Sequence, residues 1–333
     1  MEKKYTGIEI GSYSVKMTQC AGNCVYRTAV EPLPDNYMKG GSIVSMEAMS
    51  AFLRQMAKKY RFTDKNCALV LPDDSVFTRR LTMPAMTVEH LKLNLPYEFH
   101  DFLNGSREQY VFDYCVLDMK YDEKKNPVSM DLMAAAVPVN LMEGYKQMIR
   151  QAGFKLVIAA PETAAIANIL REHEGVEEIK TPEEYCLMDI GHRKTRLHIF
   201  TGNRFEVTRE IEIGVKDLVD MVAAVRNVDP HLALSYVRDN YEDVWNLEEA
   251  VEIYDRIGVE AMRAVNFYGF NNRDSHLSRI YYYGGGSRIT PMTETITSHI
   301  ALEQRPVTEL VTMMDETDEN IISSLMAAGI TYQ

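Results

Sequence analysis

The residues best suited to chemistry lie near the start of the chain, in the stretch GIEIGSYSVK at residues 7–16. An apolar run gives way to a Gly-Ser-Tyr-Ser turn at residues 11–14, and Lys16 follows shortly after it. Successive turn amides and serine hydroxyls can bind an anion, and a lysine supplies a positive charge for phosphate. Glu9, beside the turn, could hold a hydrated Mg²⁺ against phosphate oxygens. Taken alone, the stretch is also compatible with an ordinary hairpin whose charges face solvent.

The same pattern recurs 180 residues later, in the stretch YCLMDIGHRKTRLHIFTGNRFEVT at residues 185–208. Each copy is typical of a strand, a tight turn, a second strand, a Gly-Asn hairpin turn and a third strand. The aligned positions are Glu9 with Asp189, Gly11 with Gly191, Lys16 with Arg196, and Gly22-Asn23 with Gly202-Asn203. We predict a duplicated domain whose two hairpins clamp a polyphosphate from opposite sides. Chance similarity between two generic hairpins is the alternative.

A third turn occurs in YYYGGGSRITPM at residues 281–292, where an aromatic strand runs into three glycines. Glycines at this place let the backbone approach a flat ring and its phosphates. A simple strand-to-helix connection is the other interpretation.

The order of these three turns resembles the actin, Hsp70 and FtsA superfamily, in which they are the two phosphate hairpins and the adenosine motif. Within it, the chain resembles the PilM family of the type IV pilus assembly system over nearly its whole length. Residues 160–170 resemble the connecting helix of the superfamily, and the segments that carry the PilM resemblance lie at residues 81–103, 108–118, 131–154, 213–223 and 324–332. The resemblance implies an α/β, actin-like (ribonuclease H-like) duplicated fold of two lobes with a small inserted α+β subdomain.

The resemblance also implies a domain organisation. The first actin-like subdomain would contain residues 1–80, 155–184 and 306–333, the inserted subdomain residues 81–154, and the second lobe residues 185–305. Local patterns agree: residues 45–62 and 247–272 have helical periodicity, residues 67–72 favour a buried strand, and residues 121–129 favour a solvated hairpin tip.

By this resemblance the cofactors are ATP and Mg²⁺, held between the lobes. The implied ATP-binding residues are Gly11, Ser12, Tyr13, Ser14, Lys16, Gly191, His192, Thr195, Gly214, Arg238, Gly284, Gly285, Gly286, Ser287 and Arg288. Glu9 and Asp189 would hold Mg²⁺ through water, and Glu162 would orient the attacking water. Glu162 is also explained as a helix N-terminal acid that the dipole favours.

Five positions depart from the family pattern, and two of them are Ser235 and Arg238, which stand where the family has an acid and a lysine that contact the ribose. Glu9 replaces an aspartate, His192 replaces a small residue, and Val215 replaces the second of two glycines. The longer acid disturbs a strict Mg²⁺ octahedron unless water fills in. His192 either crowds the phosphates or leaves the following basic residues to neutralise them, and Val215 restricts the backbone. We therefore expect nucleotide binding with slow or absent ATP hydrolysis, and both appreciable hydrolysis and loss of nucleotide binding are open alternatives.

The implied function is that of a cytoplasmic adaptor that binds ATP-Mg²⁺ and the N-terminal cytoplasmic tail of a PilN-like inner-membrane protein. The protein would reach the inner face of the membrane through that partner, and self-association is possible. One alternative is an FtsA-like cell-division filament, whose C-terminal basic amphipathic helix has no counterpart in the closing IISSLMAAGITYQ. Another is a small-molecule kinase of the same superfamily, for which no sugar- or acid-kinase signature is visible.

The composition of the chain limits the kinds of partner that it is expected to bind. The chain has 333 residues and a formal net charge of −12, with 46% hydrophobic and 25% charged residues. The negative charge argues against nucleic acid and against direct docking on an anionic membrane, because both need clustered Lys and Arg. The five scattered cysteines favour buried free thiols over a zinc site. No run of about 18 apolar residues indicates a membrane span, and together these features favour a cytoplasmic protein.

Overall fold

The computed structural model describes residues 4–72, 75–101, 103, 105–315 and 318–332. The chain divides into two compact units. The first contains the residues up to 33 and those from 163 onward, and the second contains residues 34–162. The predicted division into three subdomains stays a prediction.

The described residues form strands and helices in alternation, as the sequence predicts for an α/β protein. The strands are β1 (Lys4–Ile10), β2 (Ser14–Ala21), β3 (Cys24–Pro32), β4 (Met38–Lys39), β5 (Ser42–Ile43), β6 (Asn66–Leu71), β7 (Phe77–Pro84), β8 (Tyr110–Tyr121), β9 (Pro127–Pro138), β10 (Lys155–Pro161), β11 (Glu184–Ile190), β12 (Thr195–Thr201), β13 (Arg204–Ile211), β14 (Arg279–Tyr283), β15 (Glu303–Pro306) and β16 (Thr312–Met313). The α-helices are α1 (Met46–Lys59), α2 (Val88–Asn94), α3 (Val139–Gln151), α4 (Glu162–Val176), α5 (Val215–Arg226), α6 (Pro230–Asp239), α7 (Glu248–Asn271), α8 (Thr290–Ser298) and α9 (Ile321–Gly329). Short 3-10 helices cover Leu95–Phe99, Arg107–Gln109, Tyr241–Asn246, Gly285–Arg288 and Val307–Leu310.

The first unit contains the predicted duplication. Strands β1, β2 and β3 form one antiparallel meander, and β11, β12 and β13 form the other. The register irregularity between Gln19 and Cys20 in the first copy recurs between Ile199 and Phe200 in the second. The hairpin glycines have nearly the same left-handed backbone, with φ of 58° at Gly22 and 56° at Gly202. Matching bulges at matching positions confirm that the two meanders are copies of one motif, since bulges are specific local features.

The second meander extends into a five-stranded sheet of order β13-β12-β11-β14-β15. Strands β14 and β15 run parallel to β11. One face of this sheet is covered by α5, α7 and α8, whose Leu218, Ile257 and Met292 are fully buried in one core with Met188 and Ile190 of β11. This packing places the N-terminus of α5 and the start of α8 at the end of β11.

Helix α9 is buried along almost all of its length in the first unit. It packs against β1, β2 and β3 on one side and approaches β14 on another. Gly7 of β1 lies directly on the Ala327 carbonyl, and Gly329 lies on the Ala165 carbonyl of α4. The two glycines therefore permit a backbone-to-backbone approach that any side chain would block. The C-terminal helix that the sequence predicts thus packs on the first meander and also contacts β14 of the second sheet.

The second unit contains two layers of secondary structure. Strands β6 and β10 pair in parallel, while α1 packs against α3. Helix α1 begins after Ser45, whose side chain accepts a hydrogen bond of 3.2 Å from the Ala48 amide, and ends in Lys58 and Lys59. Both features stabilise helix ends. The predictions of a helix over 45–62 and a strand over 67–72 are confirmed.

Strands β7, β9 and β8 of this unit form, in that order, a separate three-stranded antiparallel sheet. Leu91 of α2, together with Leu95 and Phe99, packs on the face formed by Leu132 and Ala134 of β9. The β8–β9 connection spans the predicted hairpin tip. This is an α+β element with its own small apolar core.

The structure also bears on the predictions of buried free cysteines and of a chain without a membrane span. Cys20, Cys67 and Cys186 are buried free thiols, as predicted, and burial raises the pKa of Cys20 and Cys186 to about 12. The prediction is wrong for Cys115, which is exposed on the edge strand β8. In the part of the chain that the structure describes, no helix combines the length and apolar character needed to cross a bilayer.

Candidate functional site

The first hairpin turn (residues 11–14) joins β1 to β2. The Gly11 amide donates to the Ser14 carbonyl at 3.0 Å, which closes the turn. The Tyr13 carbonyl accepts a 2.8 Å hydrogen bond from the Leu33 amide, just past the end of β3. Both ends of the turn are therefore fixed by backbone hydrogen bonds, while the side chains of Ser12 and Tyr13 remain partly exposed.

The second hairpin turn (residues 191–194) joins β11 to β12 and has the same closure. The Gly191 amide donates to the Lys194 carbonyl at 3.1 Å. Its carbonyls also cap α5: the Val215 amide donates to the Gly191 carbonyl at 3.1 Å, and the Lys216 amide donates to the His192 carbonyl at 2.7 Å. Two of the first amides of α5, which would otherwise lack a partner, are thus satisfied by the turn.

Gly214 makes this capping possible. A side chain there would bring its Cβ within 2.7 Å of the carbonyl oxygens of both Gly191 and His192. Val215 begins α5 with an ordinary negative φ, so the expected backbone restriction has no consequence. Its side chain instead faces Gly286, where an added Cβ would lie 3.0 Å from Val215 Cγ2.

The glycine turn (residues 284–287) packs on the end of β11. Gly284 has φ 94° and ψ 172°, a conformation that is essentially restricted to glycine. A Cβ at Gly284 would collide with the Asp189 carboxylate and lie 2.7 Å from the Ile190 carbonyl oxygen. Gly285 differs, because a Cβ there would meet no atom within 4 Å. The turn is therefore packed on one side and open at Gly285.

The acid and the cation of each hairpin form an ion pair with each other. Glu9 lies directly opposite Lys16 on the paired strands, and their side chains form a close ion pair. Asp189 lies opposite Arg196, with the carboxylate 3.3 Å from the guanidinium Nη2. All four side chains are less than a fifth exposed. A phosphate or Mg²⁺ must therefore compete with partners that are already in place.

The tips of the two hairpin turns meet. The rings of Tyr13 and His192 stack with their centroids 4.7 Å apart and their planes inclined by 24°. Arg238, near the end of α6, interacts electrostatically with Tyr13 and holds Asp239 through two hydrogen bonds of 2.8 Å. The structure thus brings both hairpin turns, the glycine turn and Arg238 into one site within the first unit.

Three candidate residues have side chains committed elsewhere. The Thr195 hydroxyl donates to the Ile213 carbonyl at 3.0 Å and is fully buried. The Ser287 hydroxyl donates to the Gly284 carbonyl at 2.6 Å. Arg288 donates to the Asn320 side chain at 3.4 Å, beside α9. These contacts shape the turns, so their contribution to a ligand would be indirect.

Glu162 is the first residue of α4 and belongs to the second unit. Its side chain is only 6% exposed. An acid at this position is favoured by the helix dipole, which agrees with its structural interpretation. Its catalytic role stays a prediction.

The charge state of His192 is set by its surroundings. Burial, with the positive charges of Lys216 and Arg193, lowers the pKa of His192 to about 4, and Asp220 and Asp217 oppose this. Burial also raises the pKa of Tyr13, although Arg238 offsets part of the rise. Both rings are therefore neutral at physiological pH, which suits a stacked pair.

The low pKa of His192 predicts a pH effect on stability. An unfolded histidine has a pKa of about 6.5, so between pH 6.5 and pH 4 the unfolded chain binds a proton that the folded chain does not. As the pH is lowered through this window, the free energy of unfolding should fall by about 3 kcal/mol. Urea denaturation of the wild type and of His192→Asn at several pH values measures the effect. Equal pH slopes for the two proteins would contradict it.

The sequence did not predict the ring stack, the capping of α5 or the pairing of the hairpin charges. The charge pairs had a signal: the acid and the cation are equidistant from a tight turn, which places them opposite each other in the hairpin register. The stack had none, because it depends on the distance between two turns that are far apart in sequence.

In the described residues, no group of three or more His, Cys, Asp or Glu side chains is arranged to hold a metal ion. Any Mg²⁺ at Glu9 and Asp189 would therefore need water and phosphate oxygens to complete its shell; the assignment of Mg²⁺ to these two acids stays a prediction.

Comparison with solved structures shows the actin-like ATPase fold. The "PilM-PilN type IV pilus biogenesis complex" superposes with a TM-score of 0.80 at 20% identity, covering 99% of this chain and 98% of that one. The ethanolamine utilization protein EutJ from Carboxydothermus hydrogenoformans gives a TM-score of 0.61 at 13% identity over 98% and 90% of the two chains. MreB 5 of Spiroplasma citri bound to AMPPNP gives 0.51 at 12% identity over 98% and 94%.

The family model described as "Type IV pilus assembly protein PilM" matches residues 7–332. This span includes both hairpin turns, the glycine turn and α9. The chain therefore belongs to the PilM family of type IV pilus assembly proteins.

Proposed function

We propose that this protein is a nucleotide-binding adaptor of type IV pilus assembly, which takes ATP and Mg²⁺ at the meeting point of its three turns. The observation that carries the proposal is the convergence of the two hairpin turns and the glycine turn on the end of β11. Family membership supplies the pilus context. The adaptor would bind a PilN-like inner-membrane protein and reach the membrane through it.

The residues fit a nucleotide in two respects. Gly285 leaves open space beside the glycine turn, where a flat base could approach the backbone. Glu9 and Asp189 offer the hard carboxylate oxygens that Mg²⁺ prefers. The fit has one condition: Lys16 and Arg196 already form ion pairs with these acids, so phosphate binding requires the cations to turn from the carboxylates.

The roles of the chain's own residues follow from their geometry. To balance the charge of a bound anion, Lys16 would turn from Glu9 and Arg196 would turn from Asp189. Gly284 and Gly286 hold the glycine turn against Ile190 and thereby keep the three turns together. When bound, ATP supplies the phosphate charge that these cations balance.

The nucleotide part of the proposal is tested by calorimetric titration with ATP in the presence of Mg²⁺. Lys16→Ala should weaken binding about tenfold, because a charge-assisted hydrogen bond to phosphate contributes roughly 1.5–3 kcal/mol. Lys146→Ala is the matched control, since Lys146 forms an exposed ion pair with Glu143 on α3. Equal affinity of Lys16→Ala and wild type would remove Lys16 from the site, and no heat with the wild type would contradict nucleotide binding.

The partner part of the proposal is supported by the family and by the similarity to the solved complex of PilM with PilN. A short cytoplasmic tail of a single-pass inner-membrane protein is the expected ligand. Peptide segments of this kind are recognised by strand pairing and side-chain pockets.

The partner test uses a synthetic peptide with the N-terminal cytoplasmic sequence of the PilN-like protein encoded with this chain. Saturable binding to the full chain, and none for a scrambled peptide of the same composition, is the expected result. Equal binding of the two peptides would show that charge alone drives the interaction and would contradict a specific adaptor role.

A further inference from the structure

Tyr13 and His192 stand at the tips of the two turns to which the proposed function assigns phosphate. With the ring centroids 4.7 Å apart, the rings are in the range of direct stacking, and no phosphate or metal ion fits between them. The hairpin tips are therefore held together by protein atoms at the place where a ligand would bridge them.

The closed arrangement is also balanced in charge. Four cations near the stack have a carboxylate partner close by: Lys16 with Glu9, Arg196 with Asp189, Lys216 with Asp220 and Arg238 with Asp239. Closure without a ligand therefore leaves these four positive charges paired. The pairs of Lys16 and Arg196 are less than a fifth exposed and are weakly screened by salt, whereas the pairs of Lys216 and Arg238 are more than half exposed.

The backbones that carry the two rings are fixed by hydrogen bonds to secondary structure. The Tyr13 carbonyl accepts from Leu33 at 2.8 Å, and the His192 carbonyl accepts from Lys216 at 2.7 Å. Rotation of the side chains can therefore separate the rings without breaking these hydrogen bonds. Such rotations are fast compared with loop rearrangements.

We propose that the Tyr13–His192 stack is a latch that closes the phosphate site and sets its affinity, so that ATP enters only when the two rings separate. This inference rests on the proposed nucleotide-binding function. The apparent affinity of such a site equals the intrinsic affinity multiplied by the fraction of open molecules. Removing either ring raises that fraction to one.

The first test is calorimetric titration of ATP with Mg²⁺ into the wild type, Tyr13→Ala, His192→Ala and the double variant. Each single variant should bind ATP about fivefold more tightly than the wild type. This is about the factor by which one aromatic pair favours the closed over the open molecules. The double variant should equal the single variants, because both changes remove one shared contact. Tyr121→Ala, whose ring is 60% exposed at the end of β8, should match the wild type.

The second test needs no nucleotide. Hydrogen–deuterium exchange at residues 11–14 and 191–194 should rise at least about threefold in both turns when either ring is removed, because each ring restrains the other turn. A change confined to the mutated turn overturns the latch.

The outcomes separate the latch from the function on which it rests. If all four proteins bind ATP with equal affinity, or if the ring variants bind more weakly, the latch is overturned and the nucleotide-binding function stands. If none binds ATP, the nucleotide-binding function is contradicted, and exchange alone then decides whether the rings hold the turns together.

Discussion

Replacing Gly284 with alanine is expected to lower the free energy of unfolding by about 4 kcal/mol, which combines backbone strain with overpacking. The φ of 94° excludes most side chains. The added methyl would also run into the Asp189 carboxylate and the Ile190 carbonyl, 2.7 Å away. The backbone carbonyl cannot rotate aside as a flexible side chain would, so the turn itself must shift. Urea denaturation at neutral pH measures the loss.

Gly285→Ala is the matched control for this change. It is the next residue of the same turn, and a Cβ there would meet nothing within 4 Å. Its stability should stay within about 1 kcal/mol of the wild type. Similar losses for the two variants would mean that the turn tolerates no side chain in general, and that contact with β11 is not the cause.

The position of Gly284 also has a functional consequence. Because Gly284 lies against Asp189, a turn displaced by a methyl group would disturb the ion pair between Asp189 and Arg196. Gly284→Ala should therefore alter the second hairpin as well as the third turn. The three turns are one packed unit, and none of them is an independent loop.

Much of this fold could be predicted from sequence because its signals are local. The sequence of each meander shows a Gly-Asn turn, strand patterns on both sides of it and an acid next to the tight turn. The structure contains these features in both copies, and the first hairpin of each copy has the same pairing register. Helix α7 likewise spans Glu248–Asn271, within the predicted range of 247–272. Patterns of this kind depend on neighbours in the chain.

The candidate site was harder to predict because its key contacts are non-local. Capping of α5 by Gly191 and His192 depends on how a helix approaches a hairpin. The Tyr13–His192 stack depends on the distance between two sheets of the first unit. The sequence showed that His192 is larger than the family pattern allows, but only the structure shows that a second ring occupies the space beside it.

Helix α9 connects the two halves of the site. On one side the Ala327 carbonyl contacts Gly7 in the middle of β1. On the other side, the Gly284 amide donates to the Ile322 carbonyl at 2.9 Å, at the start of the helix. A shift of α9 would therefore displace both β1 and the glycine turn. Strand β1 leads into the first hairpin turn, and the glycine turn packs on the end of β11, beside the second hairpin turn.

Gly7→Ala tests this connection, and it should destabilise the protein by about 3 kcal/mol or more, because overpacking here sets backbone against backbone. The new Cβ would collide with the Ala327 carbonyl oxygen and lie 2.9 Å from Thr331 Cγ2. Urea denaturation measures the loss. Gly175→Ala is the control: it lies in α4 with nothing within 4 Å of an added Cβ, and it should raise stability by about 0.5 kcal/mol.

Hydrogen exchange of the Gly284 amide in Gly7→Ala shows whether the glycine turn is affected locally, which a measurement of overall stability cannot show. If α9 transmits the displacement, the hydrogen bond from Gly284 to Ile322 weakens, and exchange at Gly284 accelerates more than exchange at amides remote from α9, such as those of β12. A uniform acceleration over the whole first unit would instead reflect global unfolding. That result would contradict α9 as the connection between the first sheet and the glycine turn, since the turn would then respond no differently from the rest of the unit.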